Sequence, residues 1–165
     1  MPGFTSLAHI ALRANNLERT LDFYTNKLGC KEILRLNWQD GKVWLVYLRV
    51  TDTQYIEVFP DGVGERGTDK EATGVNHFCL QVDGIESVVD DLVSRGVVIT
   101  RELREGPDGN RQAWIEDPDG VRIELMEMRP DCIQFEAVRR LEQGLKPVVV
   151  KTNRMPELPV APNKK

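Results

Sequence analysis

The chain contains two histidines, His9 and His77, and each is followed at nearly the same distance by a glutamate flanked by apolar residues. Glu57 lies 48 residues after His9, and Glu124 lies 47 residues after His77. Successive side chains of a β-strand point to opposite faces, so the pattern places these four residues on the polar faces of predicted strands. Two imidazoles and two carboxylates suit a divalent first-row metal ion. The sequence therefore predicts one metal site with four ligands: His9, Glu57, His77 and Glu124.

This set of ligands also indicates a chemistry. Six-coordinate nickel, cobalt, manganese or iron would keep two positions for water or substrate, whereas zinc would need more ligands than the four of its structural sites. An ion in this setting can polarise a carbonyl group or stabilise an enediolate, and a neighbouring carboxylate can act as the base. We therefore expect an enzyme that moves a proton next to a carbonyl group.

The two histidines belong to two copies of one sequence module. Leu7–Leu12 aligns with Val75–Leu80, and Tyr55–Phe59 aligns with Arg122–Met126. In each copy the apolar periodicity predicts a strand, a helix and three further strands, which is a βαβββ module. The elements predicted for the first copy are a strand over Ser6–Ala14, a helix capped by Asn16 and ended by Gly29, and strands over Lys31–Asn37, Val43–Val50 and Gln54–Phe59. Those for the second copy are a strand over Gly74–Asp83, a helix over Ile85–Arg95, and strands over Val97–Arg104, Arg111–Glu116 and Val121–Glu127.

The repeat predicts an α+β domain over residues 5–130. Module one covers 5–59 and module two covers 74–128, with a glycine-rich, charged linker over 60–73 between them. A short amphipathic helix is expected over 131–144, with Ile133, Ala137, Val138 and Leu141 on one side. Residues 145–165 contain four prolines and scattered charges, which is typical of an extended or disordered tail.

Composition excludes several other classes of protein. The 165 residues carry 22 Lys and Arg against 26 Asp and Glu, so the net charge of -4 gives nucleic acid no electrostatic footprint. No apolar run approaches the roughly 20 residues of a membrane helix. Three cysteines, none in a C-x-x-C pair, indicate free thiols. We expect a cytoplasmic protein with a small-molecule substrate and no membrane partner.

The motifs resemble those of the vicinal-oxygen-chelate superfamily, and most closely its bacterial metal-dependent glyoxalase I group. The resemblance covers about Ser6–Met128, and the segments that carry it are Leu7–Arg13, Leu21–Gly29, Ile56–Glu57, Asn76–His77 and Glu116–Leu125. It implies two βαβββ modules that curve around a metal cleft, often completed by a partner subunit in a homodimer.

The same resemblance implies a reaction and roles for individual residues. Glyoxalase I converts the hemithioacetal of methylglyoxal and glutathione to S-lactoylglutathione through a metal-bound enediolate, with nickel or cobalt as the expected ion. His9, Glu57, His77 and Glu124 match positions of metal ligands in that group. Glu57 and Glu124 would serve as catalytic bases, with preference for Glu124. Arg13 matches the position that binds a glutathione carboxylate.

One departure from the glyoxalase I pattern keeps other functions open. Asp61 stands where glutathione-using members carry Asn, and its carboxylate would repel a substrate carboxylate. A metal-dependent epimerase or ketol isomerase acting on another substrate, such as a sugar derivative, is therefore an alternative. Further alternatives are an extradiol dioxygenase and a metal-free drug-binding protein, whose pocket Trp38, Trp44 and Trp114 could line.

Overall fold

The structure is a computed structural model that describes residues 3–64 and 73–146. The described residues form two compact units. The first contains the residues up to Asn76 together with Arg95–Val97 and Glu116–Val121, and the second contains the others. Most of the predicted linker (65–72 of 60–73) and almost all of the predicted tail (147–165 of 145–165) lie outside the described residues.

The first unit has the βαβββ order that the sequence predicts. Its elements are β1 (His9–Arg13), α1 (Leu17–Asp22), a π-helical turn (Phe23–Lys27), β2 (Lys31–Asn37), β3 (Val43–Arg49) and β4 (Tyr55–Phe59). The sheet has the order β1-β4-β3-β2, in which β1 runs parallel to β4 and the other pairs are antiparallel. The buried face of this sheet carries Val46, Leu48, Ile56 and Val58.

The helix of the first unit differs from the expected single α-helix. Asn16 caps it as predicted, since its Oδ1 accepts a hydrogen bond from the backbone N–H of Arg19 at 3.0 Å. After Asp22 the backbone widens into the π-helical turn, where the N–H of Leu28 donates to the carbonyl of Phe23 at 3.0 Å. This turn buries Phe23 and Tyr24. Gly29, with φ of 83°, ends the segment in the left-handed conformation that glycine adopts without strain.

The second unit repeats the order and the topology. Its elements are β5 (Phe78–Gln81), α2 (Ile85–Ser94), β6 (Ile99–Glu105), β7 (Arg111–Glu116), β8 (Arg122–Glu127) and α3 (Ile133–Glu142). The sheet order is β5-β8-β7-β6, with β5 parallel to β8 and β6 antiparallel to β7. The expected α+β fold of two βαβββ modules is therefore confirmed. His77 is predicted within a strand, but the structure places it immediately before β5, which pairs with β8 only over Phe78–Gln81.

The C-terminal helix α3 is present, but its apolar side is not buried. Of the predicted apolar side, Val138 and Leu141 are exposed, and Ile133 and Ala137 are only partly buried. Polar contacts hold the start of the helix instead, since the Gln134 amide donates to Asp108 Oδ2 at 2.6 Å and accepts from the Asn110 amide at 3.0 Å. The described helices are at most ten residues long, and none has the length and apolarity needed to span a membrane.

The turn between β7 and β8 is fixed by a buried carboxylate. Asp117 Oδ1 accepts hydrogen bonds from the backbone N–H groups of Asp119 and Val121, at 2.9 and 2.8 Å. Its Oδ2 accepts a hydrogen bond from the Tyr24 hydroxyl at 3.0 Å. Burial raises the pKa of the Asp117 carboxyl, while these three donors act in the opposite direction. These bonds fix the backbone of the turn between β7 and β8.

Replacing Asp117 with Ala is expected to lower the free energy of unfolding by about 3 kcal/mol, because three buried donors lose their acceptor. Asp117→Asn is the matched variant. Its amide oxygen can accept from both backbone N–H groups and its NH2 can donate to Tyr24, so a loss of about 1 kcal/mol is expected. Urea denaturation of both variants measures the difference. Equal losses would show that hydrogen bonding at this carboxylate does not control stability.

Candidate metal centre

In the first unit, His9 and Glu57 lie on one face of the sheet at the β1–β4 pair. Ala11 is the register partner of Glu57, and His9 is two residues earlier on the same face. His9 Nε2 lies 3.7 Å from Glu57 Oε2. Glu57 is only 7% exposed, whereas the His9 side chain is about half exposed. The flanking Ile56 and Val58 are buried on the opposite face, which fixes the direction of the carboxylate.

In the second unit, His77 and Glu124 repeat this arrangement. Cys79 is the register partner of Glu124 across the β5–β8 pair. His77 Nε2 lies 3.2 Å from Glu124 Oε2, and Glu124 is 6% exposed. Burial raises the pKa of the Glu124 carboxyl, and His77 opposes this shift. Two equivalent His-Glu pairs therefore lie at equivalent places in the two sheets.

The spacing within each pair fits two ligands of one metal ion. Nitrogen and oxygen ligands lie about 2.1 Å from such an ion, so adjacent ligands are about 3.0 Å apart at a right angle and about 3.4 Å at a tetrahedral angle. The observed separations of 3.7 and 3.2 Å are close to these values. Among residues 3–64 and 73–146, no three His, Cys, Asp or Glu side chains form a metal-binding group. The structure therefore brings the predicted ligands together only in pairs, His9 with Glu57 and His77 with Glu124.

Each glutamate also has a polar neighbour that the sequence analysis did not assign to the site. Hydrogen bonding to Glu57, burial and the Glu57 charge raise the pKa of the Tyr47 hydroxyl. The Cys79 thiol donates to Glu124, and burial together with the Glu124 charge raises the pKa of the thiol to about 12. A thiol with this pKa remains protonated near pH 7 and can keep donating. Strand alternation had indicated only that Cys79 shares the face of His77.

An indole ring and two guanidinium groups lie beside the second pair. The Trp114 ring packs edge-on against His77, with 4.6 Å between ring centroids, and its Nε1 donates to Gln112 at 3.1 Å. Arg101 Cζ and Arg122 Cζ lie 5.4 and 4.8 Å from the Trp114 ring. The sequence predicts Trp114 only as a lining residue of an apolar pocket. It predicts no role in the site for Arg101 or Arg122. Trp38 and Trp44 pack on each other in the first unit, 5.1 Å apart.

Arg13, the predicted substrate-binding residue, lies on the Glu57 face but is engaged within its own unit. Its Nη1 donates to the Pro60 carbonyl at 3.0 Å, and its Cζ lies 5.6 Å from the Phe59 ring. It lines a cavity of about 280 Å³ together with Asn15 and 62–64. Gly62 closes this cavity at a position where a Cβ would lie 3.0 Å from the backbone of Ala14.

Fold and site point to one family, and comparison with known proteins agrees. The model of the Glyoxalase/Bleomycin resistance protein/Dioxygenase superfamily matches residues 6–125. The chain belongs to this superfamily, the vicinal-oxygen-chelate class that its motifs resemble.

Individual relatives cover most of the chain. A lactoylglutathione lyase of Neisseria meningitidis is 32% identical over 127 residues, which are 74% of this chain and 91% of that protein. An uncharacterised protein of Bacillus subtilis is 31% identical over 125 residues, with 74% and 96% covered. The crystal structure of a glyoxalase family protein from Enterococcus faecalis matches with a TM-score of 0.66 and 29% identity, and covers 75% of this chain and 98% of that one.

Tyr47→Phe is expected to weaken Co²⁺ binding about tenfold, because the Glu57 carboxylate loses the hydroxyl that orients it. Stability should change by less than about 1 kcal/mol, since the ring remains in place. Tyr55→Phe is the control: its ring packs on Tyr47, and its hydroxyl donates to the Asp52 carbonyl at 2.8 Å instead. Titration of the metal-free protein with Co²⁺ measures both variants. Equal affinities for the two would refute the role of Tyr47.

Proposed function

We propose that the chain is a divalent-metal-dependent lyase or isomerase of the glyoxalase I type, which converts the hemithioacetal of methylglyoxal and a thiol to a lactoyl thioester. The observation that carries the proposal is the repeated His-Glu pair, with nearly the same geometry in both units. The relatives named lactoylglutathione lyase support the same reaction.

In this proposal His9, Glu57, His77 and Glu124 together bind one ion, with nickel or cobalt as the best candidate and zinc, manganese or iron also compatible. When bound, the ion supplies Lewis-acid polarisation of the substrate oxygens. The binding requires carboxylates that are buried enough to exclude competing water, and both glutamates are less than a tenth exposed. The contacts of Tyr47 and Cys79 keep the two carboxylates oriented.

The two glutamates also perform the proton transfer. Glu124 takes the proton from the carbon that bears the sulfur and the hydroxyl, and a proton is returned to the neighbouring carbon that was the ketone. The sulfur-bearing carbon becomes the thioester carbonyl and the neighbouring carbon becomes the alcohol, so the reaction is an internal redox exchange without an external oxidant. Glu57 would be the second base.

We further propose that the protein is a cytoplasmic homodimer, as is common among glyoxalase I enzymes of bacteria. Light scattering on the purified protein should then give twice the mass of one 18.8 kDa chain. A mass of 18.8 kDa at working concentration would contradict this part of the proposal.

Metal titration is expected to give one tightly bound ion per chain, because all four proposed ligands bind the same ion. His9→Ala and His77→Ala should each lower the affinity for Co²⁺ at least tenfold without creating a second class of site. Inductively coupled plasma analysis after dialysis measures the stoichiometry. Two ions per chain would show that each His-Glu pair binds its own ion, and absence of binding would favour the metal-free binding protein.

Glu124→Gln is expected to lower kcat for the methylglyoxal-glutathione hemithioacetal by about a thousandfold, because the amide cannot accept the proton. Glu116→Gln is the matched control, since Glu116 is an exposed glutamate at the end of β7. Turnover is followed by formation of the thioester with nickel or cobalt added. An active Glu124→Gln variant would exclude the assigned base, and an inactive wild type with metal bound would exclude this substrate.

A second candidate function is an epimerase or ketol isomerase with the same metal centre and a substrate other than glutathione. The specific observation in its favour is the carboxylate of Asp61, which would repel a carboxylate of glutathione. Asp61 follows β4, where glutathione-using members carry Asn. Turnover of hydroxycarbonyl compounds in the absence of glutathione distinguishes the two candidates.

A further inference from the structure

The two glutamates lie on sheet faces of opposite character, although the sheets are copies of each other. In the first sheet Leu34 pairs with Tyr47, and Leu36 pairs with Leu45. In the second sheet Arg101 pairs with Trp114, and Arg104 pairs with Gln112. At the alignment position of Tyr55 in the first copy, the second copy has Arg122. The first copy therefore has an apolar or aromatic side chain at each of three positions, Leu34, Leu36 and Tyr55. The second copy has an arginine at each of them, Arg101, Arg104 and Arg122.

These three arginines form a cluster beside Glu124, which we call the arginine face (Arg101, Arg104 and Arg122). Two of them lie over the same Trp114 ring, which itself contacts His77. Burial and the charges of Arg104 and Arg122 lower the pKa of Arg101, and the Glu124 charge opposes this shift. Like charges this close repel one another unless an anion lies among them.

Neither Arg101 nor Arg104 forms a salt bridge with a residue in the described ranges. The Nε of Arg104 is buried and has no hydrogen-bond acceptor in the same ranges. By contrast, Arg111 in the same unit contacts both Glu86 and Glu127. A buried guanidinium N–H without an acceptor is costly, and a bound oxyanion would supply one.

We infer that the arginine face is an oxyanion-binding site that takes a carboxylate or phosphate group of the substrate, next to the His77-Glu124 pair. Its assignment to the substrate rests on the proposed function. Arginine suits this task because its planar N–H groups bind both oxygens of a carboxylate or phosphate. The substrate class is therefore an anionic hydroxycarbonyl compound, with its charged group on the second unit. Arg13, where the family resemblance places the anion contact, already donates to the Pro60 carbonyl.

Anion binding is tested on the metal-free wild-type protein at low ionic strength, with Trp114 as the reporter. Inorganic phosphate and malonate are titrated separately while tryptophan fluorescence is recorded, and the anion that binds more tightly identifies the preferred group. Arg101→Gln and Arg104→Gln are each expected to weaken binding about tenfold, and Arg101→Lys should retain part of the affinity. Arg139→Gln is the control with the same charge change, because Arg139 lies on α3 and pairs with Glu136.

The inference is overturned if neither anion gives a saturable change, or if Arg101→Gln and Arg104→Gln bind both anions as the wild type does. Unfolding midpoints within a few degrees of wild type ensure that a loss of affinity is not a loss of folding. Because metal-free protein is used, failure of the hemithioacetal reaction leaves this result unaffected. Conversely, active enzyme whose KM does not change in Arg101→Gln would support the proposed function and refute the arginine face as a substrate site.

Discussion

Parallel pairing of the first and last strands of each module is the constraint on which the candidate metal centre depends. The pairing places Ala11 opposite Glu57 and Cys79 opposite Glu124, so that each histidine lies two residues before the position opposite its glutamate. A register slip of one residue would turn the glutamate into the apolar layer and an isoleucine onto the open face. The residues that fill the core are therefore the same ones that direct the ligands, and fold and site are specified together.

Duplication supplied this geometry twice, and divergence then gave the two glutamates different surroundings. Glu57 receives a phenolic hydroxyl from a face that otherwise carries leucines and aromatic rings. Glu124 receives a thiol and lies among an indole and guanidinium groups. Two glutamates at equivalent positions are thus held in environments of unlike polarity. Such a difference is what an unsymmetrical substrate requires, because its two ends must be told apart.

The repeat and the order of elements could be predicted from the sequence, because alternation and turn residues recur at a fixed offset. Three features could not. Periodicity does not distinguish the π-helical turn over Phe23–Lys27 from a further turn of α-helix, since both bury one stripe. Helix α3 has an amphipathic pattern, yet none of its apolar side chains is fully buried, and Val138 and Leu141 are exposed. The arginine face was missed because β6 contains register irregularities between Ile99 and Arg104. With strict alternation, Arg101 and Arg104 would lie on opposite faces of the sheet. The irregularity places both on one face, where Arg101 pairs with Trp114 and Arg104 pairs with Gln112.

The bond between Tyr24 and Asp117 has a consequence for how the chain reaches its native state. The first unit is discontinuous, because it includes Glu116–Val121 from far along the sequence. A nascent chain that has emerged only as far as Asn76 lacks the carboxylate that pairs with the Tyr24 hydroxyl and the aspartate that binds Arg19 and Thr20. Contacts between residues this distant in sequence slow folding. The first module therefore completes its packing only after most of the second has been synthesised. Folding of the first module thus depends on a segment of the second.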